Sequence, residues 1–456
     1  MAQTYLTMAN PTAGNRTKGT ISVWVKRGGL GASSHIYSEW YDGSNFGILR
    51  FNSNDTLGFF SYDGGSAQAD INTTRVFRDT NAWYHIVVAW DTTDGTAADR
   101  VKIYINGVRE TSFSGSPTYP SSSQQIYFGV GSSSYPIYIG RRGDNAEYFN
   151  GLMSHFHRVD NQALAQTVFG STDSTTGEWT IKTSPSISYT GSSDFNFFIL
   201  KDGNSLTDQS GQSNNLTVGY GTLTKSEDNP SNIFASINPL LGADVIGSTV
   251  NFSNGNTVAE DPNGSASGIN PNFISTLGMP SSGKWYCEVQ PSSFSTSSGH
   301  SIGIYRTKGS TDDTGFGDLE GNGAKIRYIY ADTSIYIIKY GTNDQTGLTS
   351  ISSGETVGMA LDLDNGTLQY YVDGSTRANA ITGINSANDG YDYFFHAGLE
   401  SSSSGRYGKY SWNFGNGAFG STQLTGTTYQ DSNGQGIFKY QPPTNFLALC
   451  TKNLNV

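Results

Sequence analysis

A two-residue rhythm runs through this chain and leaves little room for anything but β-structure. Thr20-Ile21-Ser22-Val23-Trp24-Val25-Lys26 alternates, and so does Trp83-Tyr84-His85-Ile86-Val87-Val88-Ala89-Trp90. Successive side chains of an extended strand point to opposite faces, so each run predicts a strand with one face turned to a core. Val101-Lys102-Ile103-Tyr104-Ile105 leads straight into Asn106-Gly107. That pair favours a tight type I′ hairpin turn, whose two central residues both need positive φ. The second half repeats the grammar: Gly283–Val289, Ser301–Tyr305, Thr356–Leu363 and Thr367–Val372 read as strands, the last ending at Asp373-Gly374. An apolar strand, an acidic turn and a strand ending in Tyr-x-Asn/Asp-Gly thus occur twice, as Ala89…Tyr104-Ile105-Asn106-Gly107 and Ala360…Tyr371-Val372-Asp373-Gly374. Two copies of one antiparallel sandwich type explain this most economically. Helical periodicity is almost absent, and Gln162–Phe169 is expected to form a short helix of about two turns.

At 456 residues the chain exceeds one ordinary domain of roughly 100–200 residues, and sandwiches run large, so two domains are expected. Hydrophobic residues make up 35% and aromatic residues 13%, enough to bury a core, so the abundant Gly and Ser do not signal disorder. A net charge of −11 argues against nucleic acid as a partner, because phosphate neutralisation needs clustered Lys and Arg. No apolar run approaches the roughly 20 residues of a membrane span, and Met1-Ala2-Gln3-Thr4 does not open a charged-then-apolar secretion signal. Cys287 and Cys450 lack zinc-site spacing and are expected to be buried free thiols. The polar stretch over 171–239 embeds Phe195-Asn196-Phe197-Phe198-Ile199-Leu200, expected to complete the first sandwich, and Asn254–Ser267 is expected to open the second module.

Catalytic patterns are present only in letter. Glycoside hydrolysis needs two carboxylates about 5–10 Å apart, which a strand can supply at i, i+2. Asp362-Leu363-Asp364 has that spacing but sits at a hairpin end and reads as turn capping. Gly299-His300-Ser301-Ile302-Gly303 fits the esterase pattern Gly-x-Ser-x-Gly, yet a strand follows it instead of the helix that sharp turn requires. Gly415–Gly420 fits Gly-x-Gly-x-x-Gly without a following helix to receive a pyrophosphate, so it reads as the turn after the last sandwich strand. His155-Phe156-His157 puts two imidazoles on one strand face with no third metal ligand identifiable, and a structural role is expected. Asp91, Asp94 and Asp99 crowd one loop without EF-hand spacing and read as a solvated acidic loop. Trp24, Trp83, Trp285 and Trp412 fall within strands and are assigned to cores. Binding residues belong on loops, where aromatic rings in polar surroundings can stack on sugars or fill protein interfaces. The candidates are Trp40 and Tyr41 in Trp40-Tyr41-Asp42-Gly43, then Arg141, Arg142 and Asp144 with Tyr148, and Tyr391 with Tyr393.

Taken together, Tyr5-Leu6-Thr7, Asn15-Arg16, Ser22–Arg27, Asn81–Val87 and Lys102–Gly107 resemble the laminin-G-like (pentraxin-like) jelly rolls, in the variant found in virion proteins of tailed, especially marine, bacteriophages. Gly151-Leu152-Met153-Ser154, Gln162-Ala163-Leu164, Asp208–Asn215 and Asn229-Pro230-Ser231-Asn232 are similar to phrases of the same proteins. In the second half Gly283–Val289, Val357–Asp362, Tyr370–Gly374, Trp412-Asn413-Phe414-Gly415 and the tail through Pro442-Pro443 to Thr451 resemble a SPRY (B30.2-like) sandwich. The resemblance implies an all-β chain of two tandem antiparallel β-sandwich, concanavalin A-like jelly-roll domains. Residues 1–225 would be the laminin-G-like domain and 226–456 the SPRY-like domain with its C-terminal tail. It further implies a non-enzymatic virion structural protein, made in the bacterial host cytoplasm and displayed in many copies on the phage tail or capsid surface. Partners would be other virion proteins and host-surface glycans or proteins, with no nucleic acid and no membrane span. No cofactor is implied beyond Ca²⁺, which such folds sometimes hold at a rim. No coiled-coil shaft is present, which favours a tail- or head-attached module over a tail fibre. Two other readings stay open: a structural connector or capsid decoration protein without a receptor, using the apolar tail Phe446–Cys450 as an exchanged piece, and a glycan depolymerase.

Overall fold

The computed structural model describes residues 3–132, 134–191, 193–201, 206–240, 250–261, 272–293, 299–308, 323–329, 335–339, 342–348, 351–384, 391–400 and 407–454. The chain divides into two compact units, Met1–Leu223 and Thr224–Val456.

The strands of the first unit are β1 (Tyr5–Met8), β2 (Lys18–Arg27), β3 (Ser34–Asp42), β4 (Asn45–Phe51), β5 (Thr56–Asp63), β6 (Ser66–Val76), β7 (Trp83–Asp91), β8 (Val101–Ile105), β9 (Val108–Arg109), β10 (Ile137–Ile139), β11 (Gly151–Asp160), β12 (Gly170–Thr172), β13 (Trp179–Ile181), β14 (Phe197–Ile199) and β15 (Thr217–Tyr220). Among the described residues they form an antiparallel sheet of seven strands, β15-β1-β10-β3-β4-β5-β6, and one of six, β14-β11-β2-β7-β8-β9, with the β12–β13 hairpin apart. One core lies between the two sheets. Leu49, Phe51, Leu57, Phe59 and Ile71 enter it from the seven-stranded sheet, and Ile21, Val23, Val25, Ile86, Val88 and Trp90 from the six-stranded one. Trp90 is fully buried against Phe59 and Phe128, a burial worth about 2–3 kcal/mol for a side chain of this kind.

The expected strands are present, and so is the turn chemistry. Asn106 and Gly107 adopt φ of 47° and 81°, and Ile105 pairs with Val108 across them. The 195–200 run does complete this unit, because β14 pairs antiparallel with β11. The helix expected over Gln162–Phe169 shrinks to one turn of 3-10 helix at Gln166–Val168. Its apolar residues Leu164, Val168 and Phe169 instead pack outward of the six-stranded sheet, against Val87 and Val159.

The second unit contains β16 (Asn251–Ser253), β17 (Val258–Asp261), β18 (Asn272–Ile274), β19 (Lys284–Ser292), β20 (Gly299–Lys308), β21 (Gly323–Ile329), β22 (Ile335–Lys339), β23 (Thr342–Leu348), β24 (Val357–Asp362), β25 (Thr367–Val372), β26 (Ser375–Thr376), β27 (Ile381–Thr382), β28 (Tyr391–Glu400) and β29 (Gly408–Asn413). One sheet runs β16-β17-β29-β19-β24-β25-β26 and the other β18-β28-β20-β21-β22-β23. Trp285, Val289, Met359 and Trp412 of the first sheet share a core with Phe273, Ile302, Ile304 and Phe395 of the second. The Tyr370 hydroxyl crosses that core to the Ile302 carbonyl at 3.1 Å. Asp373 and Gly374 repeat the type I′ geometry, with φ of 48° and 77°. The apolar tail packs on its own unit. β29 pairs β19 only from Glu288 onward, and Leu447–Ala448 pair in parallel with the remaining Trp285 and Tyr286 of the same chain. Leu449 and Cys450 are fully buried there, and both cysteines are free and buried, as expected.

Each unit also buries one glutamate two residues after a tyrosine, where it pins loops to a sheet. Glu39 accepts from the Gly129 amide at 2.7 Å, the Val130 amide at 3.3 Å and the Tyr37 hydroxyl at 2.9 Å, with Arg158 3.9 Å away. Glu288 accepts from the Lys439 and Tyr440 amides at 3.0 and 2.8 Å, from Asn413 at 2.9 Å and from Tyr286 at 3.3 Å. Burial pushes both carboxyl groups up to about 7.

Candidate functional site: an aromatic shelf on the seven-stranded sheet

On β4 and β5 one parity of residues enters the core and the other faces outward. Registered pairing brings the outward ones into rows. Trp40 lies opposite Phe46, and Phe46 opposite Tyr62. In the next row Ser38 lies opposite Ile48, Ile48 opposite Phe60 and Phe60 opposite Asp70. The first row is a stack: Trp40 and Phe46 have ring centroids 5.2 Å apart at 16°, Phe46 and Tyr62 4.9 Å apart at 22°. All three rings are half-buried. Together with Asp42, Gly43, Ile48, Arg50, Phe60, Asp70, Arg142 and Asp144 they line an open depression of about 750 Å³.

The polar rim is held by its own hydrogen bonds. Arg142 meets Asp144 through Nε at 2.7 Å and Nη2 at 2.9 Å, and Glu147 through Nη1 at 2.6 Å. Glu147 also accepts from Arg50 at 3.1 Å and from the His35 ring Nε2 at 2.8 Å. Burial lowers the His35 pKa, so at neutral pH its uncharged ring donates Nε2–H. That bond, with the Arg50 and Arg142 charges behind it, holds Glu147 at about 2. Arg142 and Arg50 are also laid over rings, Arg142 5.4 Å from Trp40 and Arg50 4.9 Å from Phe60. Asp70 accepts the Tyr62 hydroxyl at 2.7 Å, a bond that pushes the phenol up to about 12. Asp42 accepts from the Ser44 amide and the Asn45 side chain. Gly143 packs on Trp40 so closely that a Cβ there would come within 2.3 Å of the indole, so only glycine lets the loop lie on the shelf.

Of the residues expected to bind ligand, Trp40, Arg142 and Asp144 meet on this shelf. Arg141 does not. It is buried between the Tyr5 and Tyr138 rings, 3.9 and 4.3 Å from their centroids, and Tyr148 lies beside Tyr5 at 6.3 Å. Tyr41 turns away to lie beside Tyr135, with ring centroids 5.0 Å apart and the planes tilted by 38°, and stays about half exposed. Tyr393 corrects an expectation: it is 1% exposed within the second unit's core, where a ligand cannot reach its ring. The Tyr391 side chain lies outside the described residues. Sequence reasoning missed Phe46, Arg50, Phe60, Tyr62 and Asp70, all of them on strands and none in a loop.

The other motifs resolve structurally. Asp362 takes Lys284 and Asn365, and Asp364 caps the Gly283 amide. Ser301 is buried inside β20, between β21 and β28. Gly415, Gly417 and Gly420 form the positive-φ turn after β29. His157 stacks on Phe198 at 3.8 Å and bonds the Tyr189 hydroxyl through Nδ1 at 2.7 Å, while His155 lies at a bulge of β11. Asp91 pairs with Lys18, Asp94 with Lys102 and Asp99 with Arg109, so the acidic loop is neutralised by cations of its own chain. Among the described residues no group of three or more His, Cys, Asp or Glu side chains is placed to hold a metal ion. No helix among them is long and apolar enough to cross a membrane.

Residues 1–169 match the family described as the concanavalin A-like lectin/glucanases superfamily, of Laminin_G type. The fold is nearly all-β with antiparallel sheets, and the jelly roll of the first unit is concanavalin A-like. Among solved structures the chain is similar to the SPRY domain of human HERC1, with 12% identity and a TM-score of 0.29, over 42% of this chain and all of that one. It is also similar to the heptameric SAP-like pentraxin of Limulus polyphemus, with 18% identity and a TM-score of 0.26, over 34% of this chain and 69% of that one. A third is the metal-free Emp46p carbohydrate recognition domain, with 12% identity and a TM-score of 0.27, over 36% and 85%. No curated protein matches the chain.

Proposed function

We propose that this chain is a non-enzymatic adhesion protein that takes a glycan on the aromatic shelf of its first unit and is displayed on the surface of a tailed-phage virion. The stacked row Trp40–Phe46–Tyr62 carries the reading. Three adjacent strands spaced about 4.8 Å apart make a ring surface about 10 Å across, the width of one to two sugar rings. A sugar presents a flat C–H face that gains dispersion and burial on such a surface, while its rim hydroxyls need polar partners. Asp42, Asp70, Asp144 and Arg50 stand around the rings to supply them.

Binding is favoured over chemistry because each shelf carboxylate is already occupied in holding the fold together. Asp70 fixes Tyr62, Asp144 fixes Arg142, and Asp42 closes the β3–β4 turn. An open, shallow shelf gives weak single contacts, and many copies on one particle would turn these into useful avidity. The virion setting rests on the sequence resemblance of residues such as Ser22–Arg27 and Lys102–Gly107.

Two measurements test this. The full chain should bind surface polysaccharide of its host in calorimetry, and Trp40→Ala should weaken that binding at least about tenfold, roughly 1.4 kcal/mol. Steady release of sugar by the wild-type chain, abolished by one carboxylate substitution, would overturn the non-enzymatic reading. Gold-labelled antibody should mark intact particles. Label on the tail favours host recognition, label over the capsid favours decoration, and unlabelled particles would sink the virion assignment.

A further inference from the structure

We infer that the shelf selects uncharged glycans and rejects acidic ones; this rests on the glycan-binding reading above. A surface that recruits uronates, sialylated or sulfated sugars needs a guanidinium or ammonium group whose charge is not already met by carboxylates of the protein itself. Here the charge of both guanidinium groups at the shelf is already met by carboxylates of the chain, although some of their N–H donors stay free for neutral hydroxyls. Arg142 directs Nε, Nη1 and Nη2 at Asp144 and Glu147, and Arg50 directs Nη1 at Glu147 and Nε at Asn52. Glu147 is held at about 2, so this neutralisation holds at neutral and mildly acidic pH.

The lining itself sets three carboxylates, Asp42, Asp70 and Asp144, against two cations, and Glu147 behind the rim adds a fourth carboxylate. An incoming carboxylate or sulfate would meet net like charge, on a chain whose overall charge is −11. A sugar hydroxyl meets the opposite situation. It can donate to carboxylate lone pairs left over from the internal bonds, and a carboxylate oxygen accepts more than one hydrogen. Arg141 does not change the balance, because it lies outside the depression and is 4% exposed between Tyr5 and Tyr138.

The experiment uses the full chain and matched oligosaccharide pairs: neutral hexose oligomers of several linkages, and the same oligomers oxidised at C6 to uronates. In each pair that binds, the neutral member should bind at least about tenfold more tightly, with little dependence on salt, and Trp40→Ala should abolish the difference. Asp144→Asn, which frees two donors of Arg142 at an exposed position, should narrow the gap by raising uronate affinity several-fold. Glu147→Gln should do the same by removing the carboxylate charge that both guanidinium groups share. Tighter uronate binding that depends on Trp40 would overturn the selectivity while leaving the shelf as the glycan site. Failure of every pair to bind would overturn the shelf itself, and the selectivity with it.

Discussion

On the six-stranded sheet of the first unit, the outward-facing rings are roofed by the same chain. Trp24 and His85 stack at 4.7 Å, Trp179 of the β12–β13 hairpin lies over His85 at 6.0 Å, and Phe169 and Tyr189 close over His157. On the seven-stranded sheet, Trp40, Phe46 and Tyr62 make an equally aromatic row that stays half-exposed. The roofed face buries its rings against its own chain, while the open one leaves them half-exposed. The roof is built into the backbone: a Cβ on Gly107 or on Gly170 would strike the Trp179 ring at 2.3 and 2.6 Å.

The strongest way to break this contrast is to lift the roof. Trp179→Ala removes a ring packed on His85 and leaves the His85 Nδ1 without the indole N–H that now donates to it at 2.9 Å. Large-to-small aromatic changes cost about 3–5 kcal/mol when buried, and Trp179 is only partly so, which sets the expectation at about 3 kcal/mol. Denaturant unfolding of the full chain, followed by hydrogen exchange in β7, measures it. A loss under about 1 kcal/mol would mean the roof is ornamental and the two faces are not different in kind.

Acid sharpens the same contrast. Burial, with the nearby His155 adding to it, lowers His85 to about 3, and burial holds His157 well below its usual value. The indole N–H can only donate, so the His85 Nδ1 accepts and its proton sits on Nε2 toward Ser22 at 2.9 Å. Both histidines are thus neutral in the folded protein and become charged on unfolding below about pH 6.5. Their contribution is complete above that pH and declines as pH falls toward the folded values, by about 1.4 kcal/mol per pH unit for each group. Glu39 works oppositely: its folded value of about 7 stabilises below 4.5 and is lost as pH rises through 7. His35, lowered by burial as well, acts in the same direction, so one glutamate against three histidines leaves a net loss on acidification. Corrected for the intrinsic exchange rate at each pH, β7 and β11 amides should therefore be less protected at pH 4.5 than at pH 7, and His85→Phe should flatten the slope. A first unit that is more stable at pH 4.5 would contradict the buried-neutral assignment.

Why the sequence shows one face and hides the other follows from strand parity. The strands themselves, the two Asn/Asp-Gly turns and the completing role of 195–200 are legible because alternation and positive-φ turn chemistry are local. The shelf is not. Phe46, Ile48 and Arg50 alternate with Gly47, Leu49 and Phe51, and Phe60 and Tyr62 alternate with Phe59 and Ser61. Both parities hold apolar rings, so nothing local says which set enters the core; that is decided by the opposite sheet. Trp40, Arg142 and Asp144 are legible because they flank turns, where an aromatic or charged residue stands out. Tyr393 misleads for the same reason: its neighbours Asp392 and Gly390 look like a loop, while its ring is fixed inside by pairing of β28 with β20.

The smallest expected change in stability carries the largest functional weight. Trp40→Ala removes a half-buried ring from the open row, and the exposed side of that ring contributes little to folding, so a loss of about 1 kcal/mol is expected. The Arg142–Asp144–Glu147 bonds that shape the rim do not run through the indole and should survive. Glycan affinity should nonetheless fall at least about tenfold, because the ring is the end of a continuous stacking surface and its loss shortens that surface by a third. Trp179→Ala is the reciprocal control, destabilising the unit while leaving affinity of the folded fraction unchanged. If instead Trp40→Ala unfolds the unit, the shelf is a second roof-bearing face whose cover has yet to be supplied, and its rings serve the fold as those beneath Trp179 do.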